Sequence, residues 1–262
     1  MLLQLTPIAL QIQIISEKAQ LTHKGKTSYN FSTLQSELEK FEEEFNFIID
    51  KVKNDLQNNE KIASIYTAFS CCFSSIITNQ SSNSNNEMKK LKKAQDYFDK
   101  AIKANCSQEI LIHTADSMAK GYSNYSLWYI EKAELRIKFL ERALEIQEKY
   151  ETAKFTTLIN LGTEYHNLGE HYLFGLKGYK KSFDDAFLNY NKAIPYLTQI
   201  INTNYTELTK ESLVEALRVL AMSYEGVGYL RYDIISMQKA MLLQGSHKIK
   251  CNPGDNKTST GV

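Results

Sequence analysis

No proline lies between residues 8 and 194, and no glycine between residues 26 and 120. Tight turns draw on Gly, Pro, Asn and Asp, so folds built from many short strands, or from strands alternating with helices, punctuate a chain often. Long helices punctuate it least. The chain has eleven glycines and three prolines (Pro7, Pro195 and Pro253) in 262 residues, less than half the usual combined share of roughly 12%. An all-α fold is expected.

The length suffices for one large or two small domains. Hydrophobic residues at 43% and charged residues at 23% exclude a wholly disordered chain. No run of 18 apolar residues suggests a spanning helix. Lys plus Arg is 31 and Asp plus Glu is 30, a net charge of +1, which favours neither nucleic acid nor an acidic ligand. The opening segment MLLQLTPIALQIQIISEKAQ has no basic start and a broken apolar stretch, so it reads as an amphipathic helix through Ile8, Ile12, Ile15 and Ala19 rather than a secretory signal. Cys71, Cys72, Cys106 and Cys251 form no CxxC or zinc spacing. The adjacent Cys71 and Cys72 read as small buried residues, which implies a reducing compartment and a cytoplasmic location. The glycosylation triplets at Asn30, Asn79, Asn105, Asn124, Asn204 and Asn256 carry no weight without a signal.

A first helix is expected over about 7–21, and the polar loop 23–30 follows. Ser32 with Gln35 fits a capping box opening a helix to about residue 58, with Leu34, Leu38, Phe41, Phe45, Ile48, Ile49 and Val52 on one face. Glu37, Glu39, Glu42, Glu43 and Glu44 read as its solvated face. A helix over 60–78 carries Ile62, Ile65, Phe69, Cys72 and Ile76. The stretch 79–86 (NQSSNSNN) reads as a loop, with helix resuming over about 88–104. Helical hairpins continue to about residue 244, and the tail 245–262 reads as disordered.

The hairpins share a pattern. Ala94, Phe98 and Ala101 match Ala186, Tyr190 and Ala193 in spacing; Leu140 with Ala143, and Met237 with Ala240, fit the last part. Each is preceded by a helix with small and aromatic residues: Leu158, Leu161, Gly162, Tyr165, Leu168 and Gly169 in one, Leu217, Leu220, Ala221, Tyr224 and Gly228 in another, and Met118, Ala119 and Tyr122 more weakly. These segments resemble tetratricopeptide (TPR) repeats. A small residue on the first helix lets the second cross near its backbone, and the aromatic fills the gap between neighbouring hairpins. From Ala221 to Ala240 is 19 residues, the family interval. From Gly162 to Ala193 is 31, with an insertion marked by Gly175, Lys177, Gly178 and Lys180. The resemblance implies antiparallel hairpins stacked as a right-handed TPR-like α-solenoid. About four hairpins would span 60–244, with the helical pair 1–58 as a cap.

The chain offers little sign of catalysis. Gly25-Lys26-Thr27 lacks the upstream glycine and strand of a phosphate loop, Gln20 standing where the glycine would be. In Glu164–His171 (EYHNLGEH), His166 and Glu170 lie one turn apart and can share a ligand, while His171 is turned away. The segment lacks HExxH and a third remote ligand, and reads as polar residues on an exposed helix face. Ser182 with Asp184 and Asp185 reads as a helix cap. Lys89, Lys90, Lys92 and Lys93 read as a solvated face without interleaved aromatics. Trp128, with Tyr122, Tyr125 and Tyr129, reads as core between hairpins. Ser259-Thr260-Gly261-Val262 is similar to the C-terminal ligands of PDZ domains.

The resemblance implies a non-enzymatic interaction module that binds a protein or peptide in the concave groove lined by the first helices. It needs no cofactor or metal, and neither nucleic acid nor a membrane is expected as partner. The groove positions carried over are His113, Asp116, Lys120 and Asn124; Asn160, Thr163, His166 and Asn167; and Arg218, Met222 and Glu225. Some family members clamp the carboxylate tail of heat-shock chaperones with Lys and Asn, then Asn, then Lys and Arg. Asn160 fits the middle element. Asp116 and Lys120 stand in the first pair's places, and Glu215 and Val219 in the last pair's. An acid there repels a carboxylate, so no such clamp is expected. Two alternatives stand beside this one: a helical-repeat effector or enzyme with a polar site at His166, Glu170 and His171, or a structural subunit of a larger assembly. The partner and the oligomeric state stay open.

Overall fold

The stretches poor in glycine and proline are helices. The computed structural model describes residues 5–23, 26, 28–52, 59–77, 83–202, 209–231 and 234–251. Among them are ten helices and no strand, so the fold is all-α as expected. The helices are α1 (Leu5–His23), α2 (Phe31–Val52), α3 (Asn59–Ser75), α4 (Ser84–Lys103), α5 (Gln108–Tyr129), α6 (Ala133–Lys149), α7 (Phe155–Phe174), α8 (Phe183–Asn202), α9 (Lys210–Arg231) and α10 (Ile234–Cys251). No described helix is long and apolar enough to cross a membrane.

Several helix ends differ from the sequence reading, each for a local reason. The Ser32–Gln35 capping box does not form. Asn30 caps α2 instead: its Oδ1 accepts from the Ser32 backbone N–H at 2.8 Å and from Ser32 Oγ at 2.7 Å. The Ser32 hydroxyl is thus already committed, and Gln35 reaches forward to Glu39 at 3.0 Å. Helix α4 begins at Ser84 rather than near 88, because Asn83 Oδ1 takes the Asn85 and Asn86 N–H groups. Ser182 caps α8 as expected, accepting from Asp185 N–H. The expected tail is helical through Cys251, since α10 continues past residue 245; its remainder, 252–262, lies outside the described residues. So do positions 53–58 of the second helix, position 78 of the third and 79–82 of the asparagine loop. Pro195 lies inside α8 without ending it, at a solvent-exposed position.

The chain divides into two compact units. The first holds Met1–Ile130 with Glu141–Ala153, and the second Glu131–Leu140 with Lys154–Val262. In the first, α3 packs against α1, α2, α4 and α5. Fully buried Phe69 and Phe73 flank Tyr97, whose ring stacks on Phe69 at 4.9 Å and lies nearly parallel to Phe73 at 6.0 Å, and buried Phe45 packs on Phe69. Cys71 and Cys72 are buried small residues as read; the Cys72 thiol donates to Ile12 O at 2.9 Å.

Two expected solvated faces are partly interior. Glu42 accepts from Lys93 Nζ at 2.5 Å and Tyr97 Oη at 2.9 Å, so this acid of α2 is drawn onto α4. Lys90 is buried, pairing with buried Glu87 at 2.7 Å and reaching Ile76 O at 3.3 Å. A buried charge is tolerable only with such partners. Tyr125 is buried and stacks on Tyr129 at 5.6 Å, whereas Trp128 is 36% exposed. The indole is therefore not enclosed in the core as expected.

In the second unit α7 packs on α8 and α9, α8 on α9, and α9 on α10. Alanines at the repeat positions, Ala186, Ala193, Ala221 and Ala240, are buried. At Gly162 an added Cβ would sit 2.4 Å from Leu197, so only glycine lets α8 approach this closely. Gly175 ends α7 in the left-handed conformation at φ 67°, its N–H reaching His171 O, and residues 175–182 lead into α8.

Candidate functional site

The second unit contains an open cavity of about 390 Å³ formed by α7, α8, α9 and the end of the 175–182 connection. Helical spacing builds two of its walls. His166, Glu170, Leu173 and Phe174 recur on one face of α7, and Met222, Gly226 and Tyr229 on one face of α9, with Glu225 beside them. Lys181, Phe183 and Tyr190 complete it.

Tyr190 fixes the geometry. Its ring is fully buried between two glycines on different helices. A Cβ at Gly169 would lie 2.7 Å from the ring and one at Gly226 would lie 2.6 Å from it, so both helices close on the aromatic. The Tyr190 hydroxyl donates a short hydrogen bond to Glu170 Oε1. Burial, then the hydrogen bond and charge of Glu170, hold the phenol well above its ordinary range. It stays a donor, and the second carboxylate oxygen of Glu170 keeps its acceptor capacity.

His166 is 3% exposed, and its ring lies 5.3 Å from that of Tyr190. Nδ1 is 3.2 Å from Ser223 Oγ. The Ser223 hydroxyl also lies 2.9 Å from Val219 O; in the tautomer protonated on Nδ1, Ser223 accepts from His166 and donates to Val219 O. In that tautomer Nε2 is an acceptor, and it is buried with no partner. Burial lowers the imidazole below its ordinary value of 6.5; the Glu170 charge opposes this and Arg218 adds to it. The ring is therefore neutral at pH 7.

This corrects the reading of Glu164–His171 as an exposed face. Glu164, His166 and His171 are all buried, because α7 is covered by both α8 and α9. Glu164 is neutralised by Arg136, whose Nε and Nη2 reach Oε2 at 2.8 and 2.7 Å. His171 does not join the cavity; it stacks on Tyr179 at 5.3 Å, and burial lowers it too. Among the described residues no group of three His, Cys, Asp or Glu side chains is placed to hold a metal.

Of the groove positions in this unit, His166, Met222 and Glu225 line the cavity, while Asn160, Thr163, Asn167 and Arg218 do not. Arg218 is held by Glu215 through Nε at 2.9 Å and Nη2 at 2.6 Å. In the first unit Lys120 pairs with Asp116 at 2.6 Å. His113 is exposed, with Nδ1 3.9 Å from Cys71 Sγ, and Asn124 is half-buried. Sequence reasoning missed Ser223, Phe174, Phe183 and Tyr229. The one-turn spacing of Phe174 from Glu170 was a usable signal; the Ser223–His166 contact spans 57 positions and left none.

Compared with models of known families, with curated proteins and with solved structures, the chain matches none.

Proposed function

We propose that the chain is a non-enzymatic interaction module whose hairpins stack as a right-handed TPR-like α-solenoid, and that it binds a protein or peptide partner along its first helices. The observation that carries this is the cavity itself: side chains on the same face of two successive first helices, α7 and α9, converge on one open pocket. Large apolar side chains surround it at high exposure, Phe174 at 59%, Phe183 at 56% and Tyr229 at 69%, the composition of an anchor site rather than of a solvated surface. Support for the array comes from its notches. Gly162 against Leu197, Gly169 and Gly226 against Tyr190, and, within the first unit, Gly121 with a would-be Cβ 2.8 Å from Ser74, each let two helices approach closely, as stacked hairpins need.

Selection from a random displayed-peptide library on the intact protein tests the proposal. Enriched peptides should bind the wild type and lose about tenfold or more in affinity on the double variant Met222→Ala, Tyr229→Ala, as expected when anchor contacts are truncated. The thermal midpoint should hold, since Tyr229 is exposed and Met222 only half-buried. Failure to enrich any peptide, or unchanged binding to the variant, would overturn the reading.

A further inference from the structure

The cavity wall is rich in acceptors. Glu170 and Glu225 bring two carboxylates against the single ammonium of Lys181, and that ammonium lies over the Phe183 ring at 5.1 Å. Glu170 spends one oxygen on Tyr190, and Glu225 meets Gln244 only at 3.3 Å. The independent observation is His166. Its Nε2 is buried and unpartnered in the wall, and in the tautomer that lets Ser223 donate to Val219 O it carries a lone pair, with the proton on Nδ1. A buried acceptor left unpaired costs free energy that an incoming N–H donor would recover. The remaining lining, Leu173, Phe174, Met222 and Tyr229, suits an apolar stem and a flat cation.

We infer that the anchor this cavity accepts is an arginine side chain of the partner peptide, its guanidinium shared among His166 Nε2, Glu170 and Glu225. The assignment rests on the reading of the chain as a peptide-binding module. Guanidinium fits better than ammonium because it presents five donors in one plane, stacks on aromatic rings and is more weakly hydrated. No covalent step is involved.

The test uses the full chain with histidine labelled in nitrogen-15. Four probes are titrated: a short blocked peptide with central arginine, the same peptide with lysine, the same with glutamine, and free argininamide. The arginine peptide should move the His166 Nε2 resonance towards that of a hydrogen-bonded nitrogen, with Nδ1 unchanged. It should bind about tenfold tighter than the glutamine peptide, as expected for a charge-assisted contact that satisfies a buried acceptor. Glu225→Gln, at an exposed position that leaves folding intact, should weaken arginine binding about threefold to fivefold, and His166→Phe should abolish the preference for arginine. Equal binding of the lysine or glutamine peptide, or binding without a His166 shift, overturns the inference while the module reading stands. Argininamide binding as tightly as the arginine peptide overturns the module reading while the cation pocket stands.

Discussion

At the scale of single residues, the second unit is set by polar groups placed where water does not reach. His166 and His171 are both buried and both held below the ordinary imidazole value of 6.5. Each therefore binds fewer protons folded than unfolded near that pH. Stability contributed in this way is fully present above 6.5 and is lost as pH falls below it towards the folded values. Urea midpoints measured between pH 7.5 and 5.5 should decline with acidification, and His166→Gln should flatten part of that decline. A profile rising towards acid would contradict the neutral buried imidazoles. The burial itself was not legible in the sequence. Period and spacing place His166 on α7, but its environment depends on Ser223 and Tyr190 arriving from other helices, and helical periodicity encodes no such distant pairing. Lys90 shows the same limit: in the sequence it is one of four basic residues, and only the carbonyl of Ile76 and the acid of Glu87 make it interior.

At the scale of elements, the spacing rules worked where packing acts through small residues. Gly162, Ala186, Ala193 and Ala240 were readable because close helix crossings need a small side chain at fixed intervals, and all four positions lie at tight or buried contacts. Helix ends were less readable, because Asn30 and Asn83 outcompete nearby serines as caps through an acceptor that reaches two backbone positions on. Helix α8 carries an evident flaw in Pro195, which removes a backbone donor and crowds the carbonyl one turn back. The position is exposed and serves no packing role that alanine would lose. Pro195→Ala should raise unfolding free energy by about 1–3 kcal/mol, read from chemical denaturation; a loss of stability would mean that the proline shapes α8 in a way the fold needs.

At the scale of the whole molecule, all-α architecture followed from how rarely the chain is interrupted. In the first unit α3 packs among α1, α2, α4 and α5; in the second, α7 packs on α8 and α9 and has more buried residues than either. Hydrogen exchange followed by mass spectrometry should find the slowest amides in α3 and α7. Helix α10 should exchange faster: it leaves Met241 70% and Leu242 73% exposed, and protection follows local burial. Uniform rates, or α10 among the slowest, would contradict this ordering. The ring of Tyr190 joins these scales. One aromatic serves as the pin of a three-helix joint and as the floor of the recess above it, so neither duty can be altered alone. A descendant sequence that acquires a side chain at Gly169 or Gly226 must shrink the aromatic in the same step, which deepens the recess and changes what it can hold. Cohesion and selectivity in this part of the molecule are bound to drift together.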